Sequence, residues 1–187
     1  MGLSGASEVR WIIKIVLCGP SMVGKTCLCT RYVNGVFAKG IKQTIGVDFA
    51  LKNVTLEQGA NELSPEAEIT LQLWDFAGEE RFRNVLPLYV GGTQGLLLSF
   101  DLNRAETLRA LPQWLEVIHP HIESSVPIIL VGMKSDLESK TSQQEINEFL
   151  RDHNIEHFIA TSSLTGHNVE EAFTLVAREV LKNKLES

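Results

Sequence analysis

Eight residues near the amino end, Gly19-Pro20-Ser21-Met22-Val23-Gly24-Lys25-Thr26, have the types and spacing of a loop that holds phosphate. Such a loop turns successive backbone N–H groups inward around an anion and then opens a helix whose positive end faces it. The expected cradle is formed by the amides of Ser21, Met22, Val23, Gly24, Lys25, Thr26 and Cys27. Pro20 has no N–H and precedes them. Lys25 offers a cation to β- and γ-phosphates, and the Thr26 hydroxyl is a ligand for Mg²⁺. Two glycines in a turn also arise by chance. Here, however, the string joins a buried strand at 12–17 to a helix expected over 24–33, as phosphate binding requires. The ligand is a nucleoside triphosphate or its product.

Further along, Asp75 ends another strand in Trp74-Asp75-Phe76-Ala77-Gly78-Glu79-Glu80-Arg81-Phe82. An acidic group beside a phosphate loop can support a Mg²⁺ shell through water. Gly78 provides backbone that can approach a γ-phosphate closely. Upstream, Gln43-Thr44-Ile45-Gly46 carries a second hydroxyl on a loop. Taken singly, Asp75 would pass as a helix cap and Thr44 as a strand starter. Their order relative to the phosphate loop favours a metal site of Thr26, Thr44 and Asp75.

These residues need a scaffold, and 187 residues suffice for one domain and not two. Hydrophobic residues make up 44% and charged residues 21%, which excludes disordered and collagen-like classes. A net charge of −6 argues against a nucleic-acid partner bound over a broad basic face. No apolar run reaches membrane-helix length, and the start lacks a secretory signal. The three cysteines, Cys18, Cys27 and Cys29, leave one unpaired and read as reduced thiols. Strands at 47–56 and 68–74 alternate apolar and polar residues around a turn-rich stretch, as in an antiparallel hairpin. Then strands at 96–101, 127–132 and 157–160 are each followed by a helix, at 106–119, 141–153 and 168–182. That alternation means an α/β fold with a mainly parallel sheet and helices on both faces. Ligands in such sheets sit beyond the carboxyl ends of the strands. The expected organisation is a flexible 1–10, one domain over 11–182 and a short tail at 183–187.

With these motifs in place, the sequence resembles the small GTPases of the Ras superfamily and is nearest the Rab branch. Thr44-Ile45-Gly46-Val47-Asp48-Phe49 and Trp74-Asp75 through Arg83 carry the likeness, which spans roughly residues 9–181. The resemblance implies a P-loop NTPase fold with a six-stranded sheet, one antiparallel edge strand and five helices. It implies GTP/GDP and Mg²⁺ as ligands, with Thr44 in switch I and Gly78 opening switch II. Phe37 falls where the family sets an aromatic beside the guanine base. Val131-Gly132-Met133-Lys134-Ser135-Asp136 resembles the family's base-reading N-K-x-D. A carboxylate at Asp136 accepts from guanine N1–H and N2–H₂, whereas adenine has no amino group there. Lys134 would lay its stem over the ring, and Ser162-Ser163-Leu164 matches the loop whose backbone N–H meets the guanine oxygen.

Several positions depart from that pattern. Met133 stands for the family's Asn, removing an amide that ties the base loop to the phosphate loop. Leu164 stands for a Lys, and Ile41 for an aromatic that covers the phosphates. Glu79 stands for the Gln that orients the attacking water. With Lys25 and Gly78 it makes up the expected catalytic set. A carboxylate accepts from water but donates nothing when ionised, so the sign of its effect on hydrolysis stays open. Two readings follow: a switch enzyme that hydrolyses GTP slowly, or a GTP-binding interaction module that hardly hydrolyses. Effector, exchange and GTPase-activating proteins are the expected partners, through the two switches. The sequence shows no cysteine after Cys29 and no polybasic end, so either it is cut short of a lipidated tail or the protein is not lipid-anchored, and no intrinsic membrane anchor is expected in this chain. A cytoplasmic location follows, with recruitment to membranes through partners.

Overall fold

The computed structural model describes residues 10–40, 42–57, 66–83 and 85–186. Six strands form one sheet in the order β2-β3-β1-β4-β5-β6. They are β1 (Arg10–Cys18), β2 (Val47–Glu57), β3 (Glu66–Phe76), β4 (Gly95–Asp101), β5 (Ile128–Met133) and β6 (His157–Thr161). All neighbours run parallel except β2, which pairs antiparallel with β3 at the edge. The sheet expected from the sequence and from the resemblance is present. Its order places the ends of β1, β3, β4 and β5 side by side, so the loops that follow them share one rim.

Alternation along β1 divides the core. Ile13, Ile15 and Leu17 pack with Leu28, Phe173 and Val176 on one face, under α1 (Lys25–Asn34) and α7 (Val169–Glu186). Tyr32 of α1 stacks on Phe173 of α7 with centroids 4.0 Å apart, fixing the two helices together. Val16 and Cys18 point to the other face, among Phe76, Phe100, Trp114 and Leu130. β4 is buried along its whole length, as a central parallel strand should be.

The opposite face is covered by α2 (Glu80–Arg83), α3 (Pro87–Val90), α4 (Ala105–Arg109), α5 (Pro112–Ile118) and α6 (Gln143–Asp152). Among the described residues, seven α-helical segments therefore stand where the resemblance implies five helices. The helix expected over 106–119 is broken, because Pro112 has no N–H to continue the ladder and instead starts α5. A 3₁₀ turn at His119–His121, with Pro120 inside it, follows. The two short helices between β3 and β4 carry no periodic signal. At the other end, α7 runs past the expected stop at 182 to Glu186.

Helix α6 starts on a full capping box. The Ser142 hydroxyl accepts from the Glu145 N–H, and Glu145 Oε2 accepts from the Ser142 N–H at 3.0 Å. Arg109 adds a donor at 2.7 Å from Oε1. The Ser142 amide first, then Arg109 and the Ser142 hydroxyl, hold the Glu145 carboxyl down to about 2. A carboxyl lowered on folding contributes fully above its ordinary value of 4.5 and loses that contribution as pH falls towards 2. Glu145→Gln is therefore expected to lower the urea midpoint at pH 7 and to converge with the parent near pH 2. Equal midpoints at both pH values would contradict the capping account.

Candidate functional site: a phosphate loop, an oxygen-lined cation site and a base-reading end

The loop between β1 and α1 is shaped by two glycines. Gly19 adopts φ +134°, and a Cβ there would run into the Ser99 carbonyl oxygen of β4. Gly24 caps α1 at φ +115° with no side-chain cap, so the first amides of the helix are left for an external anion. Lys25 is only 5% exposed, and its Nζ donates to the Gly19 and Pro20 carbonyls at 2.8 and 2.9 Å. Burial brings its pKa down to about 8, against the upward pull of Asp75 and Cys18. Gly78 lies directly on this loop, since a Cβ there would overlap the Pro20 carbonyl and the Ser21 nitrogen.

Beside the loop, three side chains from three elements converge. The Thr26 hydroxyl donates to Asp75 Oδ2 at 2.5 Å and lies 2.6 Å from the Thr44 hydroxyl, which is 3.4 Å from the same oxygen. Asp75 is 2% exposed, and its Oδ1 has no hydrogen-bond partner among the described residues. Burial raises its pKa, opposed by the Thr26 hydrogen bond, the Lys25 charge and the Thr44 hydrogen bond. An orphaned buried carboxylate oxygen among hydroxyls is a donor set for a small hard cation, and Mg²⁺ fits it. Gln43, the residue before Thr44, reaches the loop as well, donating to Ser21 Oγ at 2.8 Å.

At the ends of β5 and β6, the Ser162 hydroxyl donates to Asp136 Oδ1 at 2.5 Å and fixes that carboxylate. The Ser162 N–H is already committed to the His167 carbonyl, so its part here is through the side chain. Lys134, at φ +62°, donates to the Met22 carbonyl at 3.1 Å and to Asp101 Oδ2 at 2.7 Å. Met133 is buried, and its sulfur accepts from the Thr161 hydroxyl at 3.4 Å. The missing amide at that position thus leaves the loops joined, through Lys134 and through Arg104, whose Nη2 donates to the Ser21 carbonyl at 3.3 Å. Phe37 is half-buried after α1, Ser163 is half-buried and Leu164 is exposed at the rim. Ile41 lies outside the described residues.

Asp101 and Arg104 went unnoticed in the sequence. Asp101 ends β4 nearly inaccessible, and its burial is outweighed by hydrogen bonds from Lys134 and Arg104 that hold its pKa below the usual range. The signal was an acid closing the largely apolar run 95–100, with Arg104 three residues on. In the loop after β3, Glu79 is clasped by Arg81, with Nε 2.6 Å from Oε2 and Nη2 donating to Oε1 at 3.3 Å.

Known proteins are similar in sequence along most of the chain. The model of the Ras family matches residues 14–182. The Ras-related protein RABA4b of Arabidopsis thaliana is 36% identical, over 96% of this chain and 77% of that protein. The GTP-binding protein ypt4 of Schizosaccharomyces pombe is 36% identical, over 91% and 72%. Human Ras-related protein Rab-30 is 39% identical, over 89% and 78%. A match of this length, on a fold with this strand order and this phosphate loop, makes the chain a member of the Ras family of small GTPases, Rab-like within it.

Proposed function

We propose that the protein is a GTP-dependent switch that binds GTP and GDP with Mg²⁺, hydrolyses GTP slowly, and controls an effector in a membrane-traffic-like process. The observation that carries this is the meeting of Thr44 with Thr26 and Asp75, which couples the loop before β2 to the cation site. Lys25 and the loop amides hold the phosphate charge, while Thr26, Thr44 and Asp75 hold the metal. Mg²⁺, when bound, neutralises charge between the β- and γ-phosphates. Asp136, braced by Ser162, reads guanine, Lys134 covers the base with Phe37 near it, and Ser163 and Leu164 supply the loop amides around its oxygen. Glu79 accepts a hydrogen bond from the attacking water. The Gly78 amide approaches the γ-phosphate, and losing it on hydrolysis releases switch II.

An apolar surface supports the effector role. Ile45, Phe49 and Leu51 on the β2 side and Leu88 and Tyr89 on α3 are exposed, and Trp74 bridges them, edge to face with Phe49 and tilted against Tyr89. Exchange and GTPase-activating partners would read the same switches. No described helix is long and apolar enough to cross a membrane. The working location is the cytoplasm, with membrane recruitment by partners.

Hydrogen exchange of the GDP and non-hydrolysable GTP forms tests the switch. Added protection in 36–49 and 76–90 with the triphosphate is expected, and identical protection would overturn it. Gly78→Ala is expected to slow hydrolysis about 10²-fold, because a displaced switch II misaligns the water. GDP dissociation should change little. Unaltered turnover would mean that the close approach to Pro20 and Ser21 is not needed. The reading of a module that hardly hydrolyses rests on Glu79, Met133 and Leu164 together, and around Met133 the loops stay joined through Lys134 and Arg104.

A further inference from the structure

Arginines 81 and 83 lie two apart on the same short segment, and the structure gives them different work. Arg83 is tied to the body of the protein: it donates to Gln113 of α5 at 3.0 Å and sits over the Trp114 ring at 5.3 Å. Among the described residues, Arg81 contacts its own segment, clasping Glu79 through Nε and Nη2 and lying over the Phe82 ring at 4.7 Å. Its side chain is 67% exposed against 27% for Glu79, so the pair adds little to stability. Glu79 stands directly after Gly78, the residue seated on the phosphate loop.

We propose that Arg81 is a positioning residue for Glu79, and that the pair together supplies what one carboxamide would supply to the attacking water and the γ-phosphate. This rests on the proposed GTP hydrolysis. In that reaction the water oxygen bonds to Pγ and the bond from Pγ to the β-γ bridging oxygen breaks. Its electron pair leaves with GDP, and the water proton ends on the released phosphate. A carboxylate alone accepts from the water but repels the triphosphate charge. The guanidinium cancels that charge and fixes the Glu79 oxygens in one plane, while their remaining lone pairs stay open to water. With the guanidinium held on the carboxylate in this way, the pair meets the γ-phosphate as a near-neutral group, and Arg81 acts only through Glu79.

The test is a double-mutant cycle over Arg81→Ala, Glu79→Gln and the double variant, with Arg81→Lys as the conservative change. Single-turnover GTP hydrolysis, GDP dissociation and the affinity for GDP with fluoroaluminate are measured for each. Arg81→Ala is expected to slow hydrolysis about 10- to 100-fold, and Arg81→Lys to recover a large part of it. The double variant should match Glu79→Gln within about threefold, because the effect of Arg81 passes through the carboxylate. Fluoroaluminate affinity should follow the same cycle, and GDP dissociation should stay within about twofold throughout. An equal loss with and without Glu79, or no loss in the parent background, overturns the proposal. If the parent holds GTP but does not turn it over, slow hydrolysis falls on its own. The fluoroaluminate cycle then decides the pair: dependence on Arg81 only with Glu79 supports it, and no dependence overturns it. Failure of the parent to retain guanine nucleotide overturns both.

Discussion

Lys25→Ala is expected to abolish retention of guanine nucleotide, with a loss of at least about 10²- to 10³-fold in affinity. The ammonium group is buried where the loop closes and already donates to the Gly19 and Pro20 carbonyls. Removing it takes away the cation opposite the phosphates and orphans two carbonyls that shape the cradle. Lys25→Met keeps most of the stem, so a similar loss there would assign the effect to charge and not to packing. Dissociation of a fluorescent GDP from the purified variants reads this directly. Retention within about threefold of the parent would mean that the loop amides alone hold the phosphates.

Asp136→Ala is expected to have the second-largest effect, a fall of about 10²- to 10³-fold in GTP affinity with ATP affinity still weak. Each charge-assisted hydrogen bond to a carboxylate contributes about 1.5–3 kcal/mol, and guanine offers two donors on the edge that Asp136 would meet. The discrimination between the two bases should therefore collapse. Because Asp136 is exposed, thermal stability should barely move. Competition of GTP and ATP against a fluorescent nucleotide gives the ratio. An unchanged preference for guanine would place base reading elsewhere, most simply in the backbone amides of Ser163 and Leu164.

Much of this architecture was legible because it rests on short-range patterns. The run 12–17 ending in Gly19-Pro20-Ser21 announces both a buried strand and the turn after it, and β1 and α1 stand there. The alternation over 47–56 gives the antiparallel edge strand β2, since one of its faces is open. Segments α2 and α3 were not legible, being one turn each and held by Arg83 on α5 and by Val90 in the core. The break before Pro112 could have been read from the proline. Thr26, Thr44 and Asp75, which the structure brings together, were legible as candidates because their residue types suggest that chemistry. Asp101 with Arg104 and Lys134, and the clasp of Glu79 by Arg81, depend on side-chain geometry that spacing alone does not give. The same holds for Met133. Its effect looked like the loss of a tie between loops, yet Lys134 and Arg104 reach the phosphate loop around it.

The central claim is that this constellation binds GTP and converts it. The direct measurement is to load the protein with GTP and Mg²⁺, remove free nucleotide, and follow bound GDP over hours, with Lys25→Ala as control. Slow first-order conversion in the parent, with no nucleotide retained in the control, is the expected result. A parent that holds GTP unchanged over the same hours would contradict the account and leave an interaction module that binds without turnover.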